Sequence, residues 1–201
     1  WGKTPTPVLH HDFRSDAKAI AAPYGIHDLG ANRGHIFVGI SHDTSQFAAA
    51  AITRWWKSDG SPRYPHSTRL LILADNGGSN SSRCRAWKYE LQNMVSSPHG
   101  LEVTVCHYPP GASKWNPIEH LLFSQVSKNW AGEPLVDIET MLKFIRTTKT
   151  ETGLRVRASF IKGDYPTGIS VPAKVMATVK SIPHEVLPAW NYTIVPDAPK
   201  M

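Results

Sequence analysis

Two cysteines, Cys84 and Cys106, are all that the 201-residue chain contains, and they lie far apart with no Cys-x-x-Cys pair. That excludes a disulfide framework and a cysteine zinc site, and leaves reduced core thiols as the expectation. Acidic residues are also in short supply: 16 Asp and Glu stand against 22 Lys and Arg, a formal charge of +6. Such a surface favours polyanions, because Lys and Arg that neutralise phosphates release condensed counterions. Nucleic acid is the natural partner, although charge by itself decides nothing. No apolar run approaches the roughly 20 residues that span a bilayer, so no membrane partner is expected. There is no internal repeat and no low-complexity tract. Trp1-Gly2-Lys3-Thr4-Pro5 forms neither a charged n-region nor an apolar h-region and lacks an initiator Met. The chain therefore reads as cut rather than targeted, and as cytoplasmic.

What is present is a globular composition. With 41% hydrophobic residues the chain is too apolar for disorder and long enough for one domain of ordinary size. Residues 1–22 read as a loosely structured lead-in and 23–201 as a single domain. Tyr24–Leu29 and His35–Ile40, separated by Gly30-Ala31-Asn32-Arg33-Gly34, predict a hairpin whose turn glycines take positive φ. From Thr44 to Trp56 the chain is rich in helix formers. Leu70-Leu71-Ile72-Leu73-Ala74 is an apolar run too short for a helix, as expected of a central strand covered on both faces. Cys84, Trp87, Leu91, Met94 and Val95 recur at helical spacing and predict an amphipathic helix ending before Pro98. Leu101, Val103, Val105 and His107 alternate like a strand, and a helix opens at Asn116-Pro117. Ile138–Phe144 predicts another helix, Leu154–Ala158 a strand with a basic face, and the tail from Val171 is Pro-rich and weakly patterned. Strands alternating with helices behind an antiparallel hairpin indicate an α/β domain with a mixed sheet and ligand sites beyond the C-terminal strand ends.

Asp75 stands at such an end, followed by Asn76-Gly77-Gly78-Ser79-Asn80, a turn that lets a metal or phosphate approach the backbone closely. The same residues would serve any strand-to-helix turn, so Asp75 needs a partner. Glu119 lies three residues after Asn116, where a capping box would place it. Against that, the helical face through Glu119, Phe123 and Val126 is partly apolar and aims the carboxylate towards the sheet. Hard ions such as Mg²⁺ take oxygen ligands from one or two carboxylates plus substrate phosphates, which a strand-end Asp and a helical Glu match.

Four strings carry a family likeness: Pro23-Tyr24-Gly25-Ile26-His27-Asp28-Leu29, the stretch from Asn32-Arg33-Gly34 to His42-Asp43-Thr44, Leu73-Ala74-Asp75-Asn76-Gly77-Gly78-Ser79-Asn80, and Pro109-Pro110-Gly111-Ala112-Ser113-Lys114-Trp115-Asn116-Pro117-Ile118-Glu119-His120. With Asn129-Trp130 and Trp190-Asn191-Tyr192 they resemble the ISAzo-type insertion-sequence transposases from His11 to about Thr193. The resemblance implies an RNase H-like fold and an Asp-Asp-Glu triad that binds two Mg²⁺ or Mn²⁺ ions and cleaves and transfers DNA strands. Asp75 then corresponds to the second acid and Glu119 to the third. The family's first Asp lies in an Asp-Thr-Lys-Lys string on a strand before Tyr24, and this chain has none, so it reads as N-terminally truncated, lacking the first strand of the family fold and catalytically poor in isolation. Asp43 follows a strand but also fits an N-cap with Gln46, while Asp12, beside His10 and His11, and Asp28 read as solvated turn acids. For DNA contact, Lys114 and Trp115 pair a phosphate-seeking cation with a stacking ring, and Arg83, Arg85 and Lys88 follow the Asp75 turn; core packing of Trp115 and solvated helix cations are the alternative. Transposon ends and target DNA are the expected partners, with a homo-oligomer in the full-length protein. A metal-dependent nuclease of the same fold and a non-catalytic DNA-binding remnant are the rival functions.

Overall fold

The computed structural model describes residues 20–109 and 111–198; the expectations for residues 1–19, with His10, His11 and Asp12, lie outside them. In chain order the elements are β1 (Ala22–Asp28), β2 (Arg33–Gly39), α1 (Ser45–Trp55), α2 (Ser61–Arg63), β3 (Arg69–Ala74), α3 (Arg85–Glu90), α4 (Ser97–His99), β4 (Glu102–His107), α5 (Ser124–Asn129), α6 (Ile138–Thr147), β5 (Arg155–Phe160), α7 (Ala173–Met176), β6 (Ser181–Pro183) and β7 (Tyr192–Ile194). Wide helical turns join α1 to α2 through Trp56–Gly60 and α3 to α4 through Leu91–Ser96, and Glu119–Phe123 leads into α5 in the same way. The elements gather into two compact units, each with its own mixed sheet: residues up to Ser41 with Pro117–Asp164, and His42–Asn116 with the residues from Tyr165 on. The strands expected in one sheet are thus shared between two.

In the first unit β1 pairs antiparallel with β2, Tyr24 opposite Phe37 and Ile26 opposite His35, and β2 pairs parallel with β5. Asp28 closes the hairpin turn by accepting the Ala31 N–H at 3.1 Å. The left-handed residue of that turn is Asn32, φ +49°, and not Gly30 or Gly34 as the sequence suggested; Asn is the non-glycine residue that visits this region most readily. Gly34 has a different task. A Cβ built there would lie 2.4 Å from Leu122 Cδ1, and one at Gly25 would lie 2.5 Å from Phe123 Cζ. The two glycines let Glu119–Phe123 press onto the strands, where Leu122, Val126, Ile36, Val38 and Val156 form a buried core with α6. Along β5, Val156 and Ala158 are buried while Arg155 and Arg157 are exposed, as the alternation predicts. α6 runs three residues beyond the expected end at Phe144.

In the second unit the order is β3-β4-β7-β6, with β3 and β4 parallel and the other pairings antiparallel. The tail that carried no clear pattern supplies two of these strands, and Tyr192 and Ile194 of β7 are among the buried residues. They escape a pattern search because each strand has three residues and takes its shape from pairing with distant ones. α1 is rich in alanine and buried around most of its circumference, from Phe47 to Ile52, and packs on α3. The helix through α3 and α4 continues past Pro98 to His99 and stops at Gly100, φ +64°, where the Leu101 N–H reaches back to the Ser96 carbonyl at 3.0 Å. One expectation fails more instructively: β3 is not a covered central strand. It ends its sheet, and Leu71 and Leu73 are 60% and 41% exposed. The apolar run suits two covered faces, but among the described residues its outer edge has no strand partner.

Candidate catalytic carboxylates

Asp75 follows the last residue of β3 in the second unit, where the parallel pair β3–β4 ends with Ala74 opposite His107. The turn behind it is pinned by separate elements. Ser45, at the start of α1, donates its hydroxyl to the Ser79 carbonyl at 2.6 Å. The Asn76 side-chain oxygen accepts the Ser82 N–H at 2.8 Å and the Ser81 hydroxyl at 3.4 Å, folding the turn back on itself. His107 reaches the Asn80 carbonyl at 2.7 Å. Gly77 and Gly78 stay exposed in this frame, and Gly78, φ +56°, takes the left-handed region that favours glycine. Asp75 is exposed and has no hydrogen-bond or ion-pair partner among the described residues.

Asp43 comes to the same turn: its Oδ2 is 3.5 Å from a Cβ built at Gly78. The expected N-cap at Asp43 is displaced by one residue, because Thr44 caps α1 and accepts the Phe47 N–H at 3.3 Å. Sequence reasoning gave Asp43 the wrong partner because both residues are good caps and only the backbone of Thr44 has the extended conformation a cap needs. His107 was missed as well. The signal was available: it is a polar residue in the inward register of Val103 and Val105, a place polar groups occupy only with partners.

Glu119 belongs to the first unit, at the first residue of the helical turns pressed onto Gly25 and Gly34. The residues aimed at the sheet are Leu122, Phe123 and Val126, and Glu119 is exposed rather than directed towards the core as its apolar neighbours suggested. It too has no partner among the described residues. Of the DNA-contact candidates, Trp115 is 70% exposed with the Lys114 ammonium 5.2 Å from its ring centre, so core packing of this tryptophan is ruled out. Arg83 and Arg85 are exposed. Lys88 differs: its ammonium sits 4.3 Å over the Tyr192 ring, and burial lowers its pKa. Both cysteines are free and half-buried rather than core residues, with Cys84 Sγ 3.3 Å from the Ser45 hydroxyl.

The family described as the Rhodopirellula transposase DDE domain matches residues 1–196. The chain belongs to it. Comparison with curated proteins and with solved structures found no match. As a DDE transposase domain the chain falls in an enzyme class of nucleases and strand transferases that act on DNA and generally use divalent metals, and its mixed sheets with flanking helices accord with an RNase H-like fold. Among the described residues no three of His, Cys, Asp and Glu gather as a metal-binding group, and no helix is long and apolar enough to cross a membrane. The carboxylates present nevertheless fit a hard divalent ion in kind: Asp75 and Glu119 offer unpartnered, exposed oxygen donors on anchored backbone.

Proposed function

We propose that residues 23–201 act as the catalytic domain of an insertion-sequence transposase, with Asp75 and Glu119 as carboxylate ligands of Mg²⁺ or Mn²⁺, and with transposon ends and target DNA as substrates in the cytoplasm. The observation that carries the reading is that both acids are exposed and unpartnered while the backbone beneath each is firmly held. When bound, a pair of such ions, about 4 Å apart, polarises the phosphate and activates the attacking oxygen. The rest falls to the protein. Asp75 presents its oxygens from a turn whose carbonyls are already committed to Ser45 and His107, so little reorganisation accompanies ligation. Glu119 presents its own from a helix start fixed by Leu122 against Gly34. Lys114 draws a phosphate and Trp115 offers a face to an unpaired base. In the first step water adds to phosphorus and the 3′ oxygen of the transposon end leaves; in the second that 3′ hydroxyl adds to a target phosphodiester and displaces the target's own 3′ oxygen.

The resemblance calls for a third acid in an Asp-Thr-Lys-Lys string, and residues 1–201 contain none. A chain of these residues alone is therefore expected to turn over slowly, and metal binding is the more sensitive readout. Mn²⁺ titration followed by electron paramagnetic resonance should show binding that weakens roughly tenfold or more in Asp75→Ala and in Glu119→Ala. If both variants keep the full metal response, the chain is a DNA-binding remnant. A strand-transfer assay with labelled ends separates the transposase from a plain nuclease, which releases cut ends without joining them.

A further inference from the structure

We infer that His107 is a positioning residue held as an imidazolium, its two ring N–H groups fixing the backbone behind the Asp75 turn. The residue closes β4 on the buried side of the sheet and is 6% exposed. Nδ1 lies 2.6 Å from the Trp190 carbonyl and Nε2 lies 2.7 Å from the Asn80 carbonyl. Main-chain carbonyl oxygens only accept, whereas a neutral imidazole has one N–H and one bare lone pair. A neutral His107 would turn that lone pair on a carbonyl lone pair at contact distance, inside the protein where neither can turn to water. The protonated ring satisfies both carbonyls, and hydrogen bonds to the charged form favour it.

The charges around the ring are few. Tyr192 of β7 lies with its ring centre 5.9 Å away, and Lys88 of α3 sits beyond it, over the far reach of the same ring. Asp75 follows Ala74, the β3 partner of His107, and supplies the opposite sign on that side. The His107 N–H also donates to the Asn191 side-chain oxygen at 3.3 Å, and the Asn191 amide donates to the Val186 carbonyl at 3.0 Å. One side chain thus ties β4, the Asp75 turn and the segment before β7 together, and the Asn80 carbonyl is drawn inward. The protonation state stands whether or not Asp75 binds metal; only its consequence for a bound ion rests on the function proposed above.

Ring-selective ¹H–¹⁵N spectra of the ¹⁵N-labelled full chain at about pH 7.5 test this, since an unperturbed histidine is mostly neutral there. His107→Gln identifies the signals by their loss. Two protonated ring nitrogens with slowly exchanging protons are expected for His107, alongside neutral rings for exposed histidines such as His66. A single protonated nitrogen at His107 in the folded wild type overturns the inference. Amide exchange reads the positioning: in His107→Phe the Ser82 N–H, bound to Asn76, should exchange roughly tenfold faster while the Leu101 N–H at the other end of β4 keeps its protection. Unchanged protection of Ser82 sinks the positioning role, and if His107→Phe does not fold, His107→Gln is read in the same way.

Discussion

Gly34 has no side chain because Leu122 occupies the space one would need. The overlap at 2.4 Å involves a methyl group, which elsewhere could swing away, but Leu122 is fully buried among Val156 and its neighbours. Gly34→Ala should therefore destabilise the chain by about 1–3 kcal/mol, the usual cost of overpacking. Urea unfolding measures it, and the same change in a Leu122→Ala background should cost less, because contacting sites couple. A neutral Gly34→Ala would mean that the close approach is not what anchors the helix start at Glu119. The sequence displays Gly34 only as a turn glycine, since the side chain that presses on it belongs to a distant helix. Asp75 was legible because strand end and turn are adjacent in the chain. The exposure of Glu119 was not, since helical phase could not tell which of several neighbouring residues, Leu122 or Glu119, would meet the sheet.

At the scale of elements, α6 is set by a single carboxylate. Asp137, with extended backbone, accepts the Thr140 N–H at 2.7 Å. That backbone hydrogen bond, with a further one from the Thr140 side chain, holds the Asp137 carboxyl below the usual carboxylate range. A folded-state pKa below the unfolded one contributes stability above the unfolded value, and the contribution is lost as pH falls through the folded one. Asp137→Ala should accordingly lower Tm at neutral pH, and the gap to wild type should close as pH drops below about 4. A gap that stays constant from neutral to acid pH would assign the cap no charge-dependent role. Elements of this kind, with local signals, are readable in advance: the alternation of β4 and β5 and the alanines of α1 all appear as elements near their expected bounds. β6 and β7 are not, because their strand character comes from pairing with β4. β3 shows the converse, a run composed for burial whose outward residues Leu71 and Leu73 remain exposed.

At the scale of the whole molecule the excess of 22 basic over 16 acidic side chains becomes a prediction about salt. Each phosphate neutralised releases counterions, so the logarithm of DNA affinity should fall linearly with the logarithm of salt, with a slope near −0.9 per contact. Lys114→Ala should weaken binding of labelled single-stranded DNA and reduce that slope by about one, whatever the sequence. Arg83→Ala and Arg85→Ala should act alike, since both side chains are exposed. Lys88→Ala should leave the slope alone, because its ammonium is spent over the Tyr192 ring. Trp115→Ala separates stacking from charge: about 1–3 kcal/mol of affinity should go with no change in slope. Fluorescence anisotropy from about 0.05 to 0.2 M salt measures all five proteins against wild type. If Lys114→Ala and Lys88→Ala shift the slope equally, the chain meets DNA through diffuse charge, and the segment leading into Glu119 has no special part in holding it.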